Sequence, residues 1–159
     1  MDNLASVELK LQRLQDLEDI KRLRHKYSYG ANIIDGKPGD LKAFAALFAD
    51  DAVFDVGMGP ANGPAEIEAM MQELTTQWQC AMHYMLNQVI DLDGDSASGN
   101  TTGLFAFTTE DNPRPIWLSN IYTESFTRTA DGWRFQSVSL ITTFADPVFL
   151  EGYADELAS

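Results

Sequence analysis

The chain has 159 residues, 45% of them hydrophobic, which suffices for the core of one globular domain. Its formal charge of −13 repels phosphate backbones and anionic headgroups, and so excludes nucleic acid and membrane surfaces as partners. With no Gly-rich phosphate loop or Arg cluster to offset that field, a polyanionic substrate is disfavoured too. Cys80 is the single cysteine, so neither an intrachain disulfide nor a Cys-based metal site is possible. No apolar run is long enough to span a bilayer, and the opening Met1-Asp2-Asn3-Leu4 does not read as a secretory leader. A reducing, cytoplasmic setting is the expectation.

Apolar residues recur at helical spacing from 7 to 34 (Leu9, Leu11, Leu14, Leu17, Ile20, Leu23, Tyr27, Ala31, Ile34), predicting one long helix whose stripe packs inward. Asp35-Gly36-Lys37-Pro38-Gly39 ends it, and Asp40 is placed to cap a short helix through Phe48. Asp50-Asp51 then turns into a strand over 52–56. A loop over 57–63 leads to a helix opened by Pro64, buried through Ile67, Met70, Met71 and Leu74, and closed by Trp78. Strands follow over 82–92, 98–108, 116–128 and 133–144, and their short links imply an antiparallel meander. The tail, 146–159, is predicted to form one short helix. Helices first and sheet afterwards make a single α+β domain with its core over about 14–144. A strongly curved sheet wrapping the N-terminal helices would enclose a cone-shaped pocket.

The runs Ile20-Lys21-Arg22-Leu23-Arg24-His25-Lys26-Tyr27 and Leu47-Phe48-Ala49-Asp50-Asp51-Ala52-Val53-Phe54 resemble the opening of SnoaL-like proteins. The later His83…Asn87…Asp93-Gly94-Asp95-Ser96-Ala97 and Asp131-Gly132-Trp133-Arg134 resemble them as well. These proteins form part of the nuclear transport factor 2-like (cystatin-like α+β) superfamily, and the resemblance spans 14–144. It is strongest to the branch containing scytalone dehydratase, bile-acid 7α-dehydratase and hexachlorocyclohexane dehydrochlorinase. Those enzymes pair a histidine on the first long strand with an aspartate at the end of the first helix. The resemblance places the histidine at His83. The acid's position falls on Asn32, with Asp35 the nearest carboxylate, so either residue is the candidate partner.

The catalytic candidates are therefore His83, Tyr27, Asp35 and Asn32. An imidazole with a pKa near ~6.5 accepts a proton at neutral pH. Asp35 would fix its tautomer and stabilise the imidazolium; Asn32 would orient the ring without adding charge. Tyr27, on the inward stripe, would donate to an oxygen that gains charge or departs. Simple alternation puts His83, Met85, Asn87 and Val89 on one face of their strand and Tyr84, Leu86, Gln88 and Ile90 on the other. Phe54, Met58, Met71, Trp78, Met85, Phe105, Trp117 and Phe144, with Asn120 and Tyr122 as polar members, are the expected lining of an apolar pocket.

No metal-ligand cluster and no nucleotide loop stands in the sequence, so neither metal nor cofactor is expected. The expected function is a cofactor-independent lyase of the dehydratase type, or an isomerase, acting on a small apolar substrate, aromatic or polycyclic. The alternatives are a ligand-binding module or a non-catalytic partner subunit of the same fold. An outer sheet face carrying Tyr84, Leu86 and Ile90 would leave apolar area in water, so a homodimer or homotrimer is expected.

Overall fold

The computed structural model describes residues 2–147, and the predicted tail helix lies, from 148 on, outside the described residues. Helix α1 runs over Asp2–Ala31. From its middle onward Asp16, Ile20, Leu23, Arg24, Tyr27 and Ala31 are buried, a three-and-four spacing that turns one face onto the sheet. The first half differs from expectation. Every residue over 4–15 is exposed: Leu9 continues the buried face but finds nothing beneath it, and Leu11 and Leu14 lie on the opposite side of the helix.

The helix ends at Ala31, and Ile34 leaves the helical stripe for strand β1 (Ile33–Ile34), which pairs with β2 (Lys37–Pro38). Asp35 and Gly36 form the turn between them, both at positive φ (53° and 69°), as a two-residue Asp-Gly hairpin requires. Asp40 caps α2 (Leu41–Ala45) by accepting from the Ala43 amide at 2.9 Å. Strand β3 (Phe48–Asp55) takes in Asp50 and Asp51, which do not form a turn. Strand β4 (Ala61–Asn62) leads to α3 (Gly63–Thr75), with Pro64 in its first turn and Trp78 beyond its end.

Four long strands complete the fold: β5 (Cys80–Asp93), β6 (Ser96–Thr108), β7 (Ile116–Thr129) and β8 (Gly132–Ala145). They form the expected meander within an eight-stranded sheet of order β2-β1-β5-β6-β7-β8-β3-β4. The β3–β8 pairing is parallel, so the sheet is mixed and not wholly antiparallel. Register shifts in β5, β7, β8 and β3 curl it around the helices. The shift in β5 lies between Leu86 and Val89, where Asn87 has φ 50°. It reverses the simple alternation: Val89 turns outward at 63% exposure, while Ile90 and Leu92 pack against the core.

Cross-strand partners define rows on the concave face. His83, Phe105, Leu118 and Ala145 form one row; Met85, Gly103, Asn120 and Thr142 the next; Ile90, Gly99, Glu124 and Val138 lie deeper. The main core joins Tyr27, Phe44, Phe48, Phe54, Ile67, Met71 and Phe135. A smaller cluster holds Ile33, Ala81, Phe107, Ile116 and Leu118, and Trp78 packs against both. At the opposite end Arg128 clamps α1 to the sheet, with both terminal nitrogens on Asp16 (2.8 and 2.7 Å) and Nε on Asp95 (2.8 Å).

Candidate functional site

His83 is held by Asn32, the residue that directly follows α1. Asn32 Oδ1 accepts from the His83 backbone amide at 2.7 Å and lies 3.3 Å from the ring Nδ1. Because that oxygen already accepts the amide proton, Nδ1 must carry a hydrogen to meet it favourably, which leaves Nε2 with its lone pair free. The Ser28 hydroxyl donates to the His83 carbonyl, tying the strand to the last turn of α1. Phe105 backs the imidazole at 4.5 Å between ring centroids, and Trp78 meets Phe105 edge-on at 5.2 Å. Burial, and secondarily the nearby Arg24 charge, push the His83 pKa down to about 3. The ring is a neutral imidazole at ordinary pH.

One row deeper, Asn120 is buried and its Oδ1 accepts from the Thr142 hydroxyl at 2.9 Å. Tyr122 reaches across the same strands over Gly103. A Cβ at Gly103 would stand 2.6 Å from the Tyr122 ring, so only glycine admits it. Below lies an ion pair: Arg24 Nη1 stands 3.0 Å from Glu124 Oε1, both side chains essentially inaccessible. The Thr101 hydroxyl donates to Glu124 at 2.6 Å, and Arg24 Nη2 reaches the Met85 sulfur at 3.1 Å. The guanidinium carbon lies 4.2 and 4.3 Å from the centroids of the Tyr27 and Tyr122 rings, which meet each other edge-on. Burial raises the pKa of both phenols, so both stay protonated.

Asn32 and His83 are thus brought together, with Phe105 and Trp78 beside them. Asp35 is not: it is exposed at the tip of the β1–β2 hairpin. Tyr27 is buried in a nest of rings made by Phe44, Phe48, Phe54, Tyr122 and Phe135. Phe54 and Met71 lie in the main core, with Met85 partly buried against it. Trp117 and Phe144 are not pocket lining. Their cross-strand partners Ala106 and Ser119 alternate with the His83 row, which puts them on the convex face, where Trp117 stacks on Tyr84. Met58 is exposed in the β3–β4 loop.

Arg24, Glu124 and Thr101 were not singled out from the sequence, although a signal existed. Arg24 falls four after Ile20 and three before Tyr27 on the buried stripe, and Glu124 alternates with Tyr122 and Phe126. A charge at such a position needs a buried partner. Among the described residues no group of three or more His, Cys, Asp or Glu is arranged to hold a metal. No helix there is long and apolar enough to cross a membrane.

A curled mixed sheet wrapped on its helices, with a histidine on the first long strand facing the end of α1, defines the class. The SnoaL-like domain model matches residues 12–139, and the chain belongs to that family. Similar solved structures agree in fold. An NTF2-like protein with a cystatin-like fold from Novosphingobium aromaticivorans is 22% identical over 93% of this chain and 95% of its own, at a TM-score of 0.74. The hexachlorocyclohexane dehydrochlorinase LinA-type3 from Novosphingobium barchaimii is 21% identical over 87% and 93%, at 0.76. The type 2 form of that enzyme is 20% identical over 87% and 92%, at 0.77. No curated protein matches the chain.

Proposed function

We propose that the protein is a cofactor-independent lyase or isomerase, with His83 as the general base acting on a small, largely apolar substrate. The observation that carries this reading is the Asn32–His83 pair, which points a neutral imidazole's free Nε2 away from its anchor. Nε2 would take a proton from a carbon next to a carbonyl or an aromatic ring. The C–H electrons would then form a double bond as hydroxide or halide leaves the neighbouring carbon, or shift an existing double bond. Asn120, or Tyr27 after rearrangement of its nest, would donate a hydrogen bond to the oxygen that gains charge. The dehydrochlorinases among the structural neighbours support an elimination, and the lone Cys80 and acidic composition support a reducing, cytoplasmic setting.

The test is turnover of a panel of cyclic and aromatic β-hydroxy ketones and β-halo compounds by the parent and by His83→Ala. Loss of about a hundredfold or more in kcat/KM is expected; equal turnover removes the base from the reading.

A second reading, a ligand-binding module, is favoured by one feature. An amide stands where the branch this chain resembles carries an aspartate, so among the described residues no carboxylate meets the ring to stabilise an imidazolium. A variant His83→Ala that binds the same apolar ligands unchanged, in a protein that turns none of them over, would select it.

A further inference from the structure

Arg24 is poorly served for a buried cation. Its side chain is 1% exposed and that of its partner Glu124 0%. Nη1 stands 3.0 Å from Glu124 Oε1 but out of line for a hydrogen bond, and Nε has no acceptor among the described residues. Nη2 donates to the Met85 sulfur at 3.1 Å, and a thioether is a weak acceptor. A guanidinium makes far stronger bonds to oxygen, so the sulfur is readily displaced by one. Met85 is also free to move aside. It is half-buried, its side chain is unbranched and flexible, and its cross-strand partner Gly103 has no side chain to pin it.

We propose that Arg24 Nη2 is the donor that receives the substrate's carbonyl oxygen, which reaches it by displacing the Met85 thioether. This role rests on the reading of His83 as a general base, and adds to it the donor and the substrate class: a ketone with a hydroxyl β to its carbonyl. Spacing supports it. Met85 lies one row deeper than His83 on β5, about 7 Å along the strand. A proton-bearing carbon near Nε2 and the adjacent carbonyl oxygen near a donor, each at a contact of about 3 Å, bridge such a gap. Charge selects the ketone. Glu124 already balances Arg24, so a carboxylate ligand would add an unmatched buried anion. A ketone enters neutral. As Nε2 takes the proton, the C–H pair becomes the enolate double bond and the carbonyl π pair moves onto oxygen beside the guanidinium. The enolate then re-forms its carbonyl and expels the β hydroxide, which leaves as water with the proton from His83. The donor is fixed beforehand by Glu124 and by the Tyr27 and Tyr122 rings, as stabilisation of developing charge requires. A β-halide without a carbonyl offers nothing to replace the sulfur.

The experiment is carbon NMR of acetophenone, isotopically labelled at its carbonyl and titrated into the full chain, His83→Ala and Arg24→Met/Glu124→Met. In the parent and in His83→Ala the bound carbonyl should move downfield, because a cationic donor withdraws electrons from it; in Arg24→Met/Glu124→Met it should not. The Met85 methyl resonance, identified by its loss in Met85→Leu, should shift in the parent over the same titration, a readout that needs no charge variant to fold. In turnover, Arg24→Met/Glu124→Met should lose about a hundredfold in kcat/KM on β-hydroxy ketones and little on β-halo compounds without a carbonyl. An unshifted carbonyl or an unmoved Met85 methyl in the parent overturns the proposal, and so do equal losses on both substrate classes. A carbonyl shift that survives in Arg24→Met/Glu124→Met also overturns it and gives the oxygen to Asn120. A shift confined to proteins with Arg24, with turnover that survives His83→Ala, keeps this donor and removes the base.

Discussion

One oxygen of Asn32 serves both the backbone amide and the ring of His83, at 2.7 and 3.3 Å. The strand position and the tautomer of the imidazole are therefore set by a single side chain. Where a carboxylate would hold the ring and raise its basicity, the amide holds it and leaves it weakly basic.

His83 should stay unprotonated far below the usual histidine range. Its pKa is pushed down to about 3, whereas the unfolded chain takes up the proton near ~6.5. Folding stability attributable to this residue is therefore full above about pH 6.5 and declines as pH falls from there toward 3. Ring-proton NMR should show no titration of His83 above about pH 5. A His83 midpoint at about pH 6 or higher contradicts the described environment.

Replacing Asn32 by Asp adds an anion next to the ring. The His83 pKa should rise by about 1–3 units, visible in the same NMR titration. If His83 is the base, proton abstraction should quicken about tenfold at neutral pH. An unshifted titration would mean that the introduced carboxylate does not contact the ring.

Arg24→Met should destabilise the fold by about 3–5 kcal/mol, because it leaves Glu124 buried without its cation. Arg24→Met/Glu124→Met, which removes both charges, should return to within about 1 kcal/mol of the parent. Urea unfolding of the set forms a double-mutant cycle. Additive losses would show that the pair is not coupled.

The Arg128 contact, ahead of smaller contributions from Trp133 and Gln12, lowers the Asp16 pKa from 3.8 to about 2. A depressed acid contributes stability above its unfolded pKa and loses it as pH falls through the folded one. Asp16 should thus give about 2 kcal/mol at pH 5 that is gone below pH 2. Asp16→Asn should be less stable at about pH 5 and should shrink the difference between that pH and about pH 2 by the same amount. An unchanged difference in urea unfolding refutes the assignment.

Much of the fold was legible because periodicity is local. The strand run around His83 and the links Asp93-Gly94-Asp95 and Ala130-Asp131-Gly132 announced the meander. Asp40 announced its helix through the bond it makes to Ala43. The stripe Ile20, Leu23, Tyr27, Ala31 marked the buried face of α1. The same rule misread Leu9, since spacing does not tell where the packing beneath a helix stops, and it counted in Leu11 and Leu14, which lie on the opposite side of α1.

Local pattern alone prescribed an acidic α+β domain with His83 on its first long strand, since alternation and turn chemistry act between near neighbours, while the resemblance marked His83 as the site histidine. Long-range packing settled what remained. The Asn87 bulge turned Ile90 inward, Asn32 and not Asp35 met the imidazole across 51 positions of chain, and Arg24 found Glu124 beneath two tyrosine rings. Each of these depends on residues far apart in sequence occupying the same few ångströms, and only the curl of the sheet around α1 sets that distance.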